Sequence, residues 1–114
     1  MSYHTVISIS VANEIVYLTI RGRVVAGGEI TAVREAIQRC VASDFRLFVV
    51  DLCSVDKIDA AGVSALVFAY LSALSIGARF RLAAVPPRIQ ELLMVCGLDK
   101  VLEYSDSVLT GVNR

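Results

Sequence analysis

The spacing of hydrophobic and polar residues changes several times along the chain, and each period predicts a different element. Residues 6–10 alternate between apolar and polar, as a half-buried strand does. Residues 15–20 are rich in β-branched and aromatic side chains, which favour a second strand. Asn13 and Glu14 separate the two runs, so the sequence predicts a hairpin with its turn at this dipeptide.

A helical period begins at Glu29 and continues to residue 41. Its apolar residues fall on one face of a helix, and they are Ile30, Val33, Ile37, Cys40 and Val41. Residues 47–52 then form an almost continuous apolar run, which is typical of a central strand covered on both faces.

The second half of the chain predicts two more helices and two more strands. One helix is expected from Asp59, whose carboxylate can cap the first backbone N–H groups, to Gly77, which can end it in a left-handed turn. Residues 80–85 predict a buried strand, and residues 101–104 a last short one. Between them, Pro87 suits the first position of a helix and Gly97 the position just past its end.

This order of elements predicts an α/β fold. Two strands are followed by three helix–strand units, which implies a mixed, mainly parallel sheet of about five strands packed by about three to four helices. The chain has no internal repeat, low-complexity tract or linker, so residues 1–114 are expected to form a single domain with a core from about residue 6 to 107.

Composition narrows the function classes. Hydrophobic residues make up 56% of the chain, enough for a complete core. Lys plus Arg and Asp plus Glu both number 11, so the net charge is zero, which argues against nucleic-acid binding. A neutral chain also lacks charge repulsion against self-association, which leaves a homodimer possible.

Side chains for catalysis or metal binding are scarce. His4 is the only histidine, so no nucleophilic triad or zinc site is expected, and neither is a cofactor. The three cysteines, Cys40, Cys53 and Cys96, each lie in an apolar segment and are predicted to be buried.

Carboxylates near the central strand leave one alternative open. Asp51, near the end of this strand, and Asp56 and Asp59, shortly after it, would be the ligands of a magnesium site, although Asp59 is expected to act as a helix cap.

No signal for membrane insertion or export is evident. The N-terminal residues lack a basic region followed by an apolar run, so a cytoplasmic location is expected. Residues 60–78 carry no charge, but glycines and serines interrupt the stretch. A buried or partner-covered helix explains it better than a membrane span.

The segment from residue 49 to 63, VVDLCSVDKIDAAGV, resembles the signature of the STAS family of sulfate transporter and anti-sigma antagonist domains. In that family a strand ending in Asp-Leu leads to a hydrophobic-Asp-Ser-Ser-Gly-Leu turn that opens a helix. Residues 18–22, the strand at residues 79–85 followed by Pro87, and the Gly97-Leu98 segment also agree. The resemblance spans about residues 6–107 and implies a STAS-like fold.

Within the family, the chain is most similar to bacterial anti-sigma factor antagonists. These bind an anti-sigma factor that is also a serine kinase, and the kinase phosphorylates the second serine of the turn. The matching position here is Ala61, preceded by Ala60, and alanine has no hydroxyl group to phosphorylate. Val25 stands where the family often has an acidic residue. The resemblance therefore implies a non-catalytic protein-binding domain that is not switched at the usual turn.

The second helix is the expected docking surface for an anti-sigma factor, a serine kinase or a related regulator. Its sheet-facing residues are predicted to be Val63, Leu66, Val67, Tyr70, Leu71 and Leu74. The predicted partner-binding residues are Asp59, Ala60, Ala61, Gly62, Ser64, Ala65, Phe68 and Ser72. The alternative is that another element of the same domain covers this uncharged stripe.

Two other functions fit the same resemblance. STAS domains also occur as soluble subunits of ABC transporters for lipids, and the uncharged stripe suits that role too. A scaffold within a signalling assembly is the third possibility. The three hypotheses differ in the partner.

Overall fold

The computed structural model describes residues 5–102 and the backbone of residues 104–105. Its strands are β1 (Val6–Ala12), β2 (Ile15–Val24), β3 (Leu47–Ile58), β4 (Arg79–Ala83) and β5 (Tyr104–Ser105). Its helices are α1 (Gly28–Val41), α2 (Ala60–Ser75) and α3 (Pro87–Val95). The order predicted from the sequence is therefore confirmed.

The strands form one mixed sheet in the order β1-β2-β3-β4-β5. β1 runs antiparallel to β2, and the other neighbours are parallel. Alternate side chains of β2, β3 and β4 point to one face, where they form a single core with residues of all three helices. From β2 onward, each helix connects one strand to the parallel strand beside it. Because such crossovers are right-handed, all the helices lie on that same face.

The β1–β2 turn is the predicted Asn13-Glu14 dipeptide. Both residues have positive φ angles, 53° and 65°, which is the backbone of a type I′ hairpin turn. Ala12 pairs with Ile15, and the antiparallel register then continues to Val6 opposite Arg21. The turn thus fixes which β1 side chains face the helices.

An aromatic cluster fills the core between the sheet and α2. Phe48 is completely buried, and its ring meets those of Phe45 and Phe80 edge to face at centroid distances of 5.6 and 5.8 Å. Tyr70 of α2 extends the cluster with a 6.0 Å contact to Phe80. Edge-to-face packing of this kind adds to the stability that burial alone provides.

Two strand predictions were wrong in extent. β3 continues to Ile58 instead of ending near residue 52, because β2 stays paired beside it to Val24. The last strand is Tyr104–Ser105, whereas Val101 lies in a turn.

The cysteine prediction was correct only for Cys40, which is buried, and burial raises the pKa of its thiol. Cys53 is exposed because it points to the face of β3 opposite the buried Leu52, beyond Asp51, the last residue that pairs with β4. Cys96 is exposed because it caps the end of α3 rather than facing inward.

Candidate functional site

The turn into α2 is held at two points by the carboxylate of Asp59. Its Oδ1 accepts a hydrogen bond from the Gly62 N–H, and its Oδ2 accepts one from the Ala26 N–H, both at 3.0 Å. The first bond caps the helix as predicted. The second ties the cap to the loop between β2 and α1, so one side chain fixes two segments that are distant in sequence.

These hydrogen bonds lower the pKa of Asp59. The Ala26 N–H contributes most and the Gly62 N–H next, because both stabilise the ionised carboxylate. A carboxyl group whose pKa is lower in the folded protein stabilises the fold in full above its unfolded pKa, near 3.8. This stabilisation decreases as the pH falls below that value and is lost below the folded pKa.

We therefore expect an acid-dependent loss of stability that requires Asp59. Urea unfolding between pH 6 and about pH 2.5 should show a decrease below the ordinary aspartate pKa. In Asp59→Asn the free energy of unfolding should decrease less as the pH falls. Asp44→Asn, in the exposed loop after α1, is the control and should behave like the wild type. Equal pH slopes for Asp59→Asn and the wild type would contradict this role.

Gly62 allows α2 to begin directly against the sheet. A Cβ atom at this position would collide with the carbonyl oxygen of Val24 and the side chain of Ile58. The same Val24 carbonyl accepts a hydrogen bond from the Asp59 N–H at 3.4 Å. The end of β2 and the end of β3 therefore meet the first turn of α2 with no space for a larger residue.

The alanines between Asp59 and Gly62 lie at the surface end of this turn. Ala60 is exposed and Ala61 is half-buried, and Ser64 is exposed one turn further along α2. These residues belong to the predicted partner-binding set, and Asp59 is the residue that caps the helix. Asp59 and Gly62 build the turn, and the two alanines are the part that another molecule can approach.

The prediction of which side of α2 faces outward was wrong for several residues. Ala65 is completely buried, so it is not accessible to a partner. Phe68 is half-buried beneath α1, with the Arg34 guanidinium 4.1 Å from its ring centroid. Ser72, further along the same side, is also half-buried. The element that covers this side is α1, which was the alternative left open by the sequence.

The predicted sheet-facing side was only partly correct. Val63 and Leu66 are buried as expected, and Val67 and Tyr70 are half-buried. The remaining two residues face outward: Leu71 is 55% exposed and Leu74 is 49% exposed. Completely buried alanines, Ala65, Ala69 and Ala73, occupy the inner side instead.

The outward side of α2 is therefore a different stripe. We define the outer α2 stripe as Ala60, Ser64, Val67, Leu71 and Leu74, which recur at helical spacing. It carries no charge and begins beside Ala61. Exposed leucines on an uncharged helix side are typical of a surface that another protein covers.

The carboxylates considered for a metal do not converge. Asp51 accepts a hydrogen bond from the Cys53 N–H at 2.9 Å, and Asp59 is engaged as the cap. Within residues 5–102, no group of three or more histidine, cysteine or acidic side chains is arranged to hold a metal ion. His4 lies outside the described residues.

A membrane-spanning helix is also absent from the described part of the chain, since none of its helices combines the necessary length and apolar character. Packing explains two uncharged sides of α2, one on the sheet and one against α1, while the third side is the outer α2 stripe.

The sequence and the fold agree with a known family. The model of the STAS domain matches residues 7–110, nearly the whole chain. The protein therefore belongs to the STAS domain family, as its resemblance in sequence implied.

Three solved structures have folds similar to that of this chain. An anti-sigma factor antagonist from Mycobacterium paratuberculosis superposes with a TM-score of 0.82 at 21% identity, covering 97% of this chain and 96% of that one. The unphosphorylated anti-sigma factor antagonist SpoIIAA gives 0.80 at 14% identity, covering 96% and 95%. A sulfate transporter family protein from Wolinella succinogenes gives 0.72 at 20% identity, covering 87% and 82%. No curated protein sequence matches the chain.

Proposed function

We propose that this protein is a non-catalytic antagonist of an anti-sigma factor and docks through the turn Asp59–Gly62 and the outer α2 stripe. The observation that carries the proposal is the uncharged, accessible surface that starts at Ala60 and Ala61 and continues to Leu74. The structural similarity to two anti-sigma factor antagonists over nearly the whole chain supports it.

The partner we infer is an anti-sigma factor that is also a serine kinase. Ala61 lies where the family resemblance places the phosphoacceptor serine, in the first turn of α2. Because alanine has no hydroxyl group, the kinase cannot switch this domain off at that position. The domain would remain in its binding-competent form, and control would act on the partner.

Kinase assays test the missing switch directly. The wild type, incubated with ATP and the serine-kinase anti-sigma factors encoded in the same genome, should gain no phosphate in residues 59–64 by mass spectrometry. Ala61→Ser should gain one phosphate from the kinase that binds the wild type. Stoichiometric phosphate on the wild-type turn, including Ser64, would contradict the proposal.

Ala61→Glu should weaken binding of that anti-sigma factor by at least about tenfold, which corresponds to ~1.4 kcal/mol. The new carboxylate would be buried unpaired in the complex. In the free protein it should be tolerated, since an acidic residue in the first turn of a helix interacts favourably with the helix dipole. Titration calorimetry measures the affinity, and thermal unfolding checks that the fold is retained.

Gln38→Glu supplies the matched control, because it adds the same charge on the exposed side of α1. Its affinity should equal that of the wild type. An equal loss in both variants would indicate a general charge effect rather than a contact at Ala61. Binding to a transporter ATPase subunit, with none to any anti-sigma factor, would favour the transporter alternative.

A further inference from the structure

The outer edge of the sheet is formed by β1. Within the described residues, β2 is the only strand beside it, and the register between the two has no bulge. The strand reads VISISVA, without charge, proline or glycine. Proteins usually protect an exposed strand edge with lysine, proline or a bulge, because its unpaired backbone groups can pair with another chain.

The hairpin turn determines which backbone groups face outward. In a two-residue hairpin, the residues that flank the turn, Ala12 and Ile15, exchange backbone hydrogen bonds. Hydrogen-bonded and non-hydrogen-bonded pairs alternate along an antiparallel ladder. Ile7, Ile9 and Val11 therefore direct their N–H and C=O groups away from β2.

The sequence of β1 reads nearly the same in both directions about Ile9. An antiparallel pairing with a second copy, centred on this residue, places Ile9 opposite Ile9, Ile7 opposite Val11 and Ser8 opposite Ser10. In this register every outward N–H and C=O of Ile7, Ile9 and Val11 finds a partner. We propose that β1 is a homodimer interface in which two copies pair antiparallel about Ile9.

The exposure of two apolar β1 side chains supports a second copy of the chain as the partner. Ile7, Ile9 and Val11 lie on the helix-bearing face, because they pair with Ile20, Leu18 and Val16 of the core. Ile7 packs against the core, but Ile9 is 40% exposed and Val11 is 59% exposed. In the dimer Ile9 covers Ile9 of the second copy, and Val11 covers Ile7 of the second copy. On the opposite face, Ser8 and Ser10 form a cross-strand hydroxyl pair.

The position of α1 extends the contact beyond the strands. A two-fold axis perpendicular to the sheet keeps the helices of both copies on the same side. α1 packs over β1 and β2, so with strands about 4.8 Å apart the two α1 helices lie about 10 Å from each other. This is the normal distance for packed helices. The helices thus add area toward the ~1,000 Å² that a specific interface needs.

Ile9 faces its own copy across the two-fold axis, so a charge-exchange test of the dimer is possible. Sedimentation velocity should show a concentration-dependent dimer of the wild type between about 1 and 300 μM. Ile9→Lys and Ile9→Glu should each be monomeric, because two like charges face each other across the axis. An equimolar mixture of the two variants should recover the dimer, since opposite charges then pair.

Val95→Lys is the control, because Val95 is exposed on α3, away from β1. It should dimerise like the wild type. A wild type that stays monomeric at 300 μM, or Ile9 variants that dimerise unchanged, would overturn the proposal. Circular dichroism establishes that the Ile9 variants are folded, and failure of the folded mixture to recover any dimer would also count against the β1 pairing.

Discussion

Gly62→Ala should destabilise the protein by about 1–3 kcal/mol or more, although alanine is normally the better helix former. The added methyl group would collide with the Val24 carbonyl oxygen, and backbone atoms cannot move aside as a flexible side chain can. The collision must be relieved by moving the start of α2 away from the ends of β2 and β3. Urea unfolding followed by circular dichroism measures the change.

Gly28→Ala is the matched control, since Gly28 also belongs to a helix and a Cβ atom there meets nothing within 4 Å. This variant should be as stable as the wild type or slightly more stable. Gly62→Ala should also bind the anti-sigma factor more weakly, because the Asp59–Gly62 turn would be displaced. Unchanged stability of Gly62→Ala would show that α2 is not seated as closely as the structure indicates.

Phe48→Ala should cost about 3–5 kcal/mol, the largest loss that we expect from a single substitution in this chain. The ring is completely buried and is the centre of the aromatic cluster with Phe45 and Phe80. Its removal leaves a cavity between β3, β4 and α2, and two edge-to-face contacts are lost with it. A domain of this size has only about 5–15 kcal/mol of total stability, so partial unfolding at 25 °C is a realistic outcome.

Phe48→Leu separates the effect of the cavity from that of the substitution itself. Leucine keeps most of the apolar volume, so its loss should be well below that of alanine. Chemical unfolding at several temperatures measures both variants. Similar losses for leucine and alanine would mean that the ring contacts, rather than the filled volume, dominate at this position.

Local signals in the sequence were sufficient for the order of elements and for the turn into α2. The hydrophobic period marked the strands and α1. Asp59 and Gly77 were correctly predicted to begin and end α2, because capping depends on neighbouring residues. The extension of β3 to Ile58 was missed because it depends on pairing with β2, which lies far away in sequence.

The orientation of α2 could not be predicted for a different reason. A helix without charged residues lacks the polar side that normally marks the surface, so the large apolar residues were assigned to the core. The structure places alanines there because α2 lies close to the sheet and α1, and Leu71 and Leu74 are left outside. The helix cap at Asp59 was predicted correctly, whereas the side of α2 that was predicted to face outward is turned partly inward. That the turn Asp59–Gly62 binds a partner stays a prediction.

The row of buried alanines, Ala65, Ala69 and Ala73, links the stability of α2 to the shape of its outer surface. Any larger side chain in this row would push the whole helix outward and carry Ser64 and Leu71 with it. Substitutions that never touch a partner would then weaken binding. A screen for binding defects would therefore identify two sets of positions on α2, one facing outward and one facing inward. Only substitutions in the inward set would also lower the unfolding temperature.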